Sequence, residues 1–160
     1  RPDHHHVAGQ PAQPQAGHQL TPAVPPPEPP PVVIDTNRVL DLWLFGDPEV
    51  APLRQAIEAG RLHWMAQPAM RVELARVLTY PAVARQLLRH RRGADAVLAA
   101  FDRWVQRVPA APPAPVRCRD PDDQIFIDLA VTWRARLLSR DRQIITLARR
   151  LTPLGVTVEA

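Results

Sequence analysis

The sequence predicts an α/β fold in which helices cover both faces of a parallel β-sheet. Short aliphatic or β-branched runs recur along the chain: Val32-Val33-Ile34, Leu62-His63-Trp64-Met65-Ala66, Leu137-Leu138-Ser139 and Gly155-Val156-Thr157-Val158. Segments with apolar residues at helical spacing separate them. The runs are nearly continuous in apolar character, as expected of strands buried on both faces. With 160 residues the chain is long enough for one domain and not two.

The twenty prolines are unevenly spread, and residues 1–31 hold ten of them. That segment ends in Pro25-Pro26-Pro27-Glu28-Pro29-Pro30-Pro31 and has too little apolar surface to pack. It reads as a disordered tail, with a proline-rich ligand for an adaptor domain as the alternative. His4-His5-His6 is a metal-binding tract or an incidental run. Residues 32–160 form the predicted domain.

Its elements follow in order. Val32-Val33-Ile34 is a buried strand ending at Asp35. Thr36 to Phe45 reads as a helix on the spacing of Val39, Leu40, Trp43 and Leu44. Gly46-Asp47-Pro48 stops it and starts another over 48–59, closed by Gly60. The strand at 62–66 precedes a helix from Pro68 to Leu78, where proline suits the first turn. Pro81 breaks the chain again. Residues 82–91 and 94–108 read as helices, the second carrying the stripe Val97, Phe101, Trp104 and Val108. A proline-rich connector covers 109–115, and Val116-Arg117-Cys118 reads as a short extended piece. A helix over 122–133, a strand at 137–139, a helix from Asp141 to Arg150 and a strand at 155–158 complete the domain.

Sites in open parallel sheets form beyond the carboxyl ends of the strands. Asp35 and Asp141 follow two of the strands, and Asp123 opens the helix before the second. Glu73 flanks the apolar face of its own helix. Four acids therefore converge on one edge in this reading. Clustered carboxylates repel one another and raise each other's pKa, so a cation must compensate. Oxygen ligands without His or Cys suit Mg²⁺ or Mn²⁺, which position a phosphodiester and activate water. Each aspartate also has a plain structural role open to it, as a helix cap, and Glu73 as a surface acid paired with Arg71 or Arg76.

These segments resemble the PIN-domain ribonucleases. Val33-Ile34-Asp35-Thr36-Asn37 is similar to the family's first-strand signature. Glu73-Leu74-Ala75-Arg76-Val77-Leu78 resembles the segment around its helical glutamate. Cys118-Arg119-Asp120-Pro121-Asp122-Asp123 is similar to its third motif, and Leu137-Leu138-Ser139-Arg140-Asp141 to its fourth. The branch resembled is that of the toxins of bacterial toxin–antitoxin pairs. That branch usually carries Gly where Arg140 stands and a second acid where Gln143 stands. The resemblance covers about residues 32–158.

It implies a Rossmann-like three-layer α/β/α sandwich and a divalent-metal-dependent endoribonuclease acting on single-stranded RNA. Asp35, Asp123 and Asp141 would ligate Mg²⁺ or Mn²⁺, and Glu73 would complete the acidic cluster. Thr36 and Asn37 would support Asp35 by hydrogen bonds. The implied partners are RNA, an antitoxin protein and a second copy of the chain. The rival expectation is a catalytically weak PIN-like module that binds RNA or protein, supported by Arg140 and Gln143. A phosphatase-like hydrolase fits less well, because Asp35-Thr36-Asn37 lacks an acid two positions on.

All twenty basic residues other than histidine are arginine, and residues 32–160 carry 19 of them against 14 acids. Such a surface attracts polyanions. Arg85, Arg89 and Arg92 share one helix face; with Arg140 they are candidate nucleic-acid contacts, a solvated face being the alternative. Trp43, Trp64, Trp104 and Trp133 could stack on bases, but beside aliphatic residues at helical spacing they read as core. The single cysteine, Cys118, excludes an internal disulfide and reads as a small buried hydrophobe. No apolar run is long enough to span a membrane and the first thirty residues lack a secretory stretch, so a cytoplasmic location is expected.

Overall fold

The structure is a computed structural model that describes residues 28–160. The histidine run and most of the expected tail lie outside the described residues. Five strands, β1 (Pro31–Ile34), β2 (His63–Ala66), β3 (Val105–Arg107), β4 (Arg136–Leu138) and β5 (Thr157–Glu159), form one sheet in the order β3-β2-β1-β4-β5. All four pairings are parallel. Helices flank the sheet, giving the α/β sandwich that the alternating pattern predicts. They are α1 (Thr36–Leu40), α2 (Ala51–Glu58), α3 (Pro68–Val77), α4 (Pro81–Arg89), α5 (Ala94–Trp104), α6 (Pro121–Trp133), α7 (Arg142–Ile145) and α8 (Ala148–Leu151).

Strand β1 is central because its side chains leave it no other place. Val32, Val33 and Ile34 are fully buried, and burial of each contributes roughly 1.5–3 kcal/mol. Proline is tolerated at its first residue, where no ladder N–H is lost from the strand interior. The Pro30 carbonyl still accepts the His63 N–H at 3.0 Å. Aromatic stacking fixes the β2 side of the core. Trp43 lies flat on Trp64 at 4.8 Å between centroids, and Phe101 meets Trp64 edge-on at 5.2 Å. These tryptophans are core residues, and Trp104, partly buried, packs against the same core. Trp133 differs: it is the last residue of α6, where Arg134 turns the chain left-handed, and 39 % of it stays exposed.

Several elements depart from the periodicity reading. The helical stripe through Val108 runs past the real end of α5, since Val105 is already extended and begins β3. Val105 to Arg107 form an edge strand with little buried surface, so no apolar run announces it. Val116 to Cys118 form a loop rather than an extended piece. Buried Gln124 holds it, accepting the Cys118 N–H at 2.6 Å and donating to the Val116 carbonyl at 3.1 Å. The helix expected over 141–150 is two short helices, broken at Thr146 and Leu147. After α1 the chain widens into one π-helical turn, Asp41–Phe45, before Gly46 ends it at φ 60.

The sheet order fixes where a site can form. From β1 the chain crosses to β2 on one side, and it later returns to β4 on the other. The carboxyl ends of β1 and β4 therefore flank the topological switch point, the crevice where open α/β sheets bind ligands.

Candidate functional site

Asp35 stands directly after β1 at this crevice and is 95 % buried. Its Oδ1 accepts the Arg38 N–H at 2.9 Å, so it caps α1. Its Oδ2 accepts the Ser139 hydroxyl from the end of β4. Ser139 Oγ in turn accepts the Asp141 N–H at 3.0 Å. One fully buried hydroxyl thus ties the β1 aspartate to the turn that carries the β4 aspartate. Burial pushes the Asp35 carboxyl above its ordinary range, the Ser139 and Arg38 hydrogen bonds oppose this, and the Asp141 charge adds to it.

Asp141 is the cap of α7, accepting the Gln143 N–H at 2.8 Å. Asp123 is different. Asp120 caps α6 by accepting the Asp122 N–H at 2.9 Å, so Asp123 is not needed there. The Asp123 side chain packs instead against Asp141, and its Oδ2 is buried with no hydrogen-bond partner. Burial, then the charges of Asp141 and Asp120, push its pKa from 3.8 up to about 7. Capping thus accounts for Asp35 and Asp141 but leaves Asp123 without a structural reason to be there.

Glu73 projects from the middle of α3 and joins through Thr36, whose hydroxyl donates to Glu73 Oε2 at 3.1 Å. Burial raises its pKa against that hydrogen bond, and the charges of Asp122 and Asp35 add to the rise. The supporting bonds expected for Asp35 are therefore corrected. Thr36 serves Glu73, Asn37 is exposed, and Ser139 with the Arg38 N–H serves Asp35. Ser139 was visible in the fourth motif as the hydroxyl two residues before Asp141. Arg38 gave no signal: a buried guanidinium held by Asp41 at 3.1 Å looks, in sequence, like any helix arginine.

The expected arginines lie elsewhere. Arg140 turns away from the acids and meets Glu49 at 2.5 Å and Asp47 at 3.5 Å. Arg85, Arg89 and Arg92 are exposed on or just after α4, which carries none of the four acids. Arg92 lines a separate hollow with Trp43, Arg54 and Glu58. Cys118 is half-buried, with its thiol pKa raised by burial and by the neighbouring aspartates.

The family model of the PIN domain matches residues 31–143. The chain belongs to the PIN-domain family. The match runs from β1 into the first residues of α7 and so includes all four acids. No curated protein matches the chain. PIN domains are generally nucleases and typically use divalent metals. Among the described residues, no three His, Cys, Asp or Glu side chains form a ready-made metal cage. The donor set nevertheless fits a hard cation: all donors are oxygens, and Asp123 Oδ2 is a buried acceptor with nothing to accept from. Among the described residues no helix is long and apolar enough to cross a membrane.

Proposed function

We propose that this PIN domain is a divalent-metal-dependent endoribonuclease that cleaves single-stranded RNA. The observation that carries this is Asp123, an acid that caps nothing, has an orphaned oxygen and stands against a second carboxylate at the switch-point crevice. Asp35, Asp123 and Asp141 would hold the Mg²⁺ or Mn²⁺ ion, with Glu73 completing the cluster. A bound divalent ion supplies an activated water and positive charge for the leaving oxygen. The chain's own residues prepare the site. Ser139 and the Arg38 N–H orient Asp35, and Thr36 orients Glu73. Asp123 must lose its proton to serve as a ligand, so metal binding competes with protonation there and weakens as pH falls.

The toxin role belongs to the same proposal and is supported by the resemblance of the four motifs. In that reading an antitoxin protein neutralises the enzyme. The test is cleavage of an end-labelled single-stranded RNA with Mn²⁺ or Mg²⁺, beside EDTA and beside Asp35→Asn. Metal-dependent fragments from the wild type alone are expected. Absence of cleavage with either ion, or equal cleavage by Asp35→Asn, overturns the reading. Growth arrest on induced expression, lost in Asp35→Asn, tests the toxin role.

A further inference from the structure

We propose that a basic cleft beside the acids seats the phosphate backbone of the RNA, with Arg117, Arg119, Arg142 and Arg150 as its phosphate ligands. This rests on the nuclease reading and adds where the substrate strand lies. The cleft measures about 400 Å³, with Gln143 and Thr146 between the arginines, and no carboxylate lines it. Its position links it to the chemistry. Arg119 immediately precedes Asp120, the cap of α6, and Arg142 immediately follows Asp141. One wall therefore adjoins Asp141 directly, and the other leads into α6, the helix whose first turn carries Asp123.

The walls are held in place. Gln124 fixes the loop that carries Arg117 and Arg119 through bonds to the backbone of residues 116 and 118. Ile144 and Leu151, both fully buried, anchor the two short helices that carry Arg142 and Arg150. The charges themselves are available. Among the described residues, Arg119, Arg142 and Arg150 have no carboxylate within 4.0 Å, and Arg117 has only Asp128 at 3.8 Å. Arg140, by contrast, is taken up by Glu49 and Asp47.

Four guanidinium groups spread around an open cleft exceed what one phosphate can use, and they match a repeating polyanion. No aromatic side chain lines the cleft to stack on bases. It therefore grips the backbone and tolerates any sequence. The acids, too negative to attract a phosphodiester alone, gain a neighbour that delivers one.

The experiment is fluorescence anisotropy with a 5′-fluorescein-labelled 12-nucleotide oligouridylate in EDTA. It compares the wild type, R119A, the double variant R142A/R150A and the double variant R85A/R89A. In single strands each phosphate contact contributes a salt slope of ~0.7, equivalent to about eightfold in affinity at 50 mM salt. R142A/R150A should bind roughly 60-fold more weakly with the slope reduced by ~1.4, and R119A should lose about half of that slope. R85A/R89A should bind as the wild type does. Wild-type affinity in R142A/R150A, equal loss in R85A/R89A, or no binding by the wild type overturns the cleft. Binding through these arginines in EDTA without any cleavage in Mn²⁺ defeats the nuclease reading and leaves the cleft standing. Cleavage that is undiminished in R142A/R150A defeats the cleft alone.

Discussion

Replacing Asp123 by asparagine keeps the side chain's shape and removes the charge that Asp141 opposes. In metal-free protein this substitution should stabilise the fold. The folded pKa of about 7 against 3.8 means that the native state holds a proton that the unfolded chain has already lost. The unfolded state therefore binds fewer protons between about pH 4 and pH 7, and stability falls as pH rises through that window. Above pH 7 the loss is complete. Moving from 3.8 to about 7 corresponds to at most ~4 kcal/mol, and solvent screening of a half-buried group cuts this to ~1–2 kcal/mol. For a domain of this size that is roughly 3–10 °C in Tm. Thermal melts of wild type and Asp123→Asn in EDTA, from pH 5 to pH 8.5, measure it. The gap between the two curves should be smallest at pH 5, widen up to about pH 7 and then level off, with the variant higher. Parallel curves, or a variant that melts lower at pH 8, would refute the claim that Asp123 is held against electrostatic strain.

Mn²⁺ should raise the wild-type Tm, by mass action worth roughly 2.7 kcal/mol at a hundred times the dissociation constant, and Asp35→Asn should lose most of that response. Equal metal responses in the two proteins would count against a shared site. Ser139→Ala leaves the buried Asp35 Oδ2 and the Asp141 N–H short of a partner, so a loss of ~1–3 kcal/mol is expected in EDTA melts; an unchanged Tm would show that the hydroxyl link is dispensable. Asp102 accepts both arms of Arg71 at 2.8 and 3.0 Å, and Arg71's hydrogen bond holds its pKa below the ordinary range. Its contribution is present above the unfolded pKa and lost as pH falls through the folded one. The stability gap to Asp102→Ala should therefore close in acid urea titrations below about pH 4, and a gap that persists there would exclude the ion pair as its source.

The buried strands were legible because their side chains admit one environment. Val32-Val33-Ile34 and Leu137-Leu138 are too apolar to be anything but interior. Strand β3 was not, because an edge strand is defined by the neighbour it pairs with and Gln106 and Arg107 carry no burial signal of their own. The acids could be placed at one edge from strand order alone. Their partners could not: whether Thr36 turns to Asp35 or to Glu73 depends on how α3 packs on α1. That Arg117, Arg119, Arg142 and Arg150 share one cleft was equally hidden, since a loop and two separate short helices carry them. The sequence also offered capping as the role of all three aspartates, and only the geometry separates Asp123 from the two that cap.

The hydroxyl link between Asp35 and Ser139 spans 104 positions of the chain. Strand β1 is among the first parts of the domain to be synthesised, yet one whole side of it stays unpaired until β4 exists. Contacts of such long range form late, after the entropy of closing the intervening loop has been overcome. The acidic crevice is thus an assembly that the growing polypeptide completes only once β4 has been made. A nascent chain truncated before residue 136 would carry Asp35 and Glu73 without Asp141, and pulse-labelled hydrogen exchange during refolding should show the β1–β4 amides protected last.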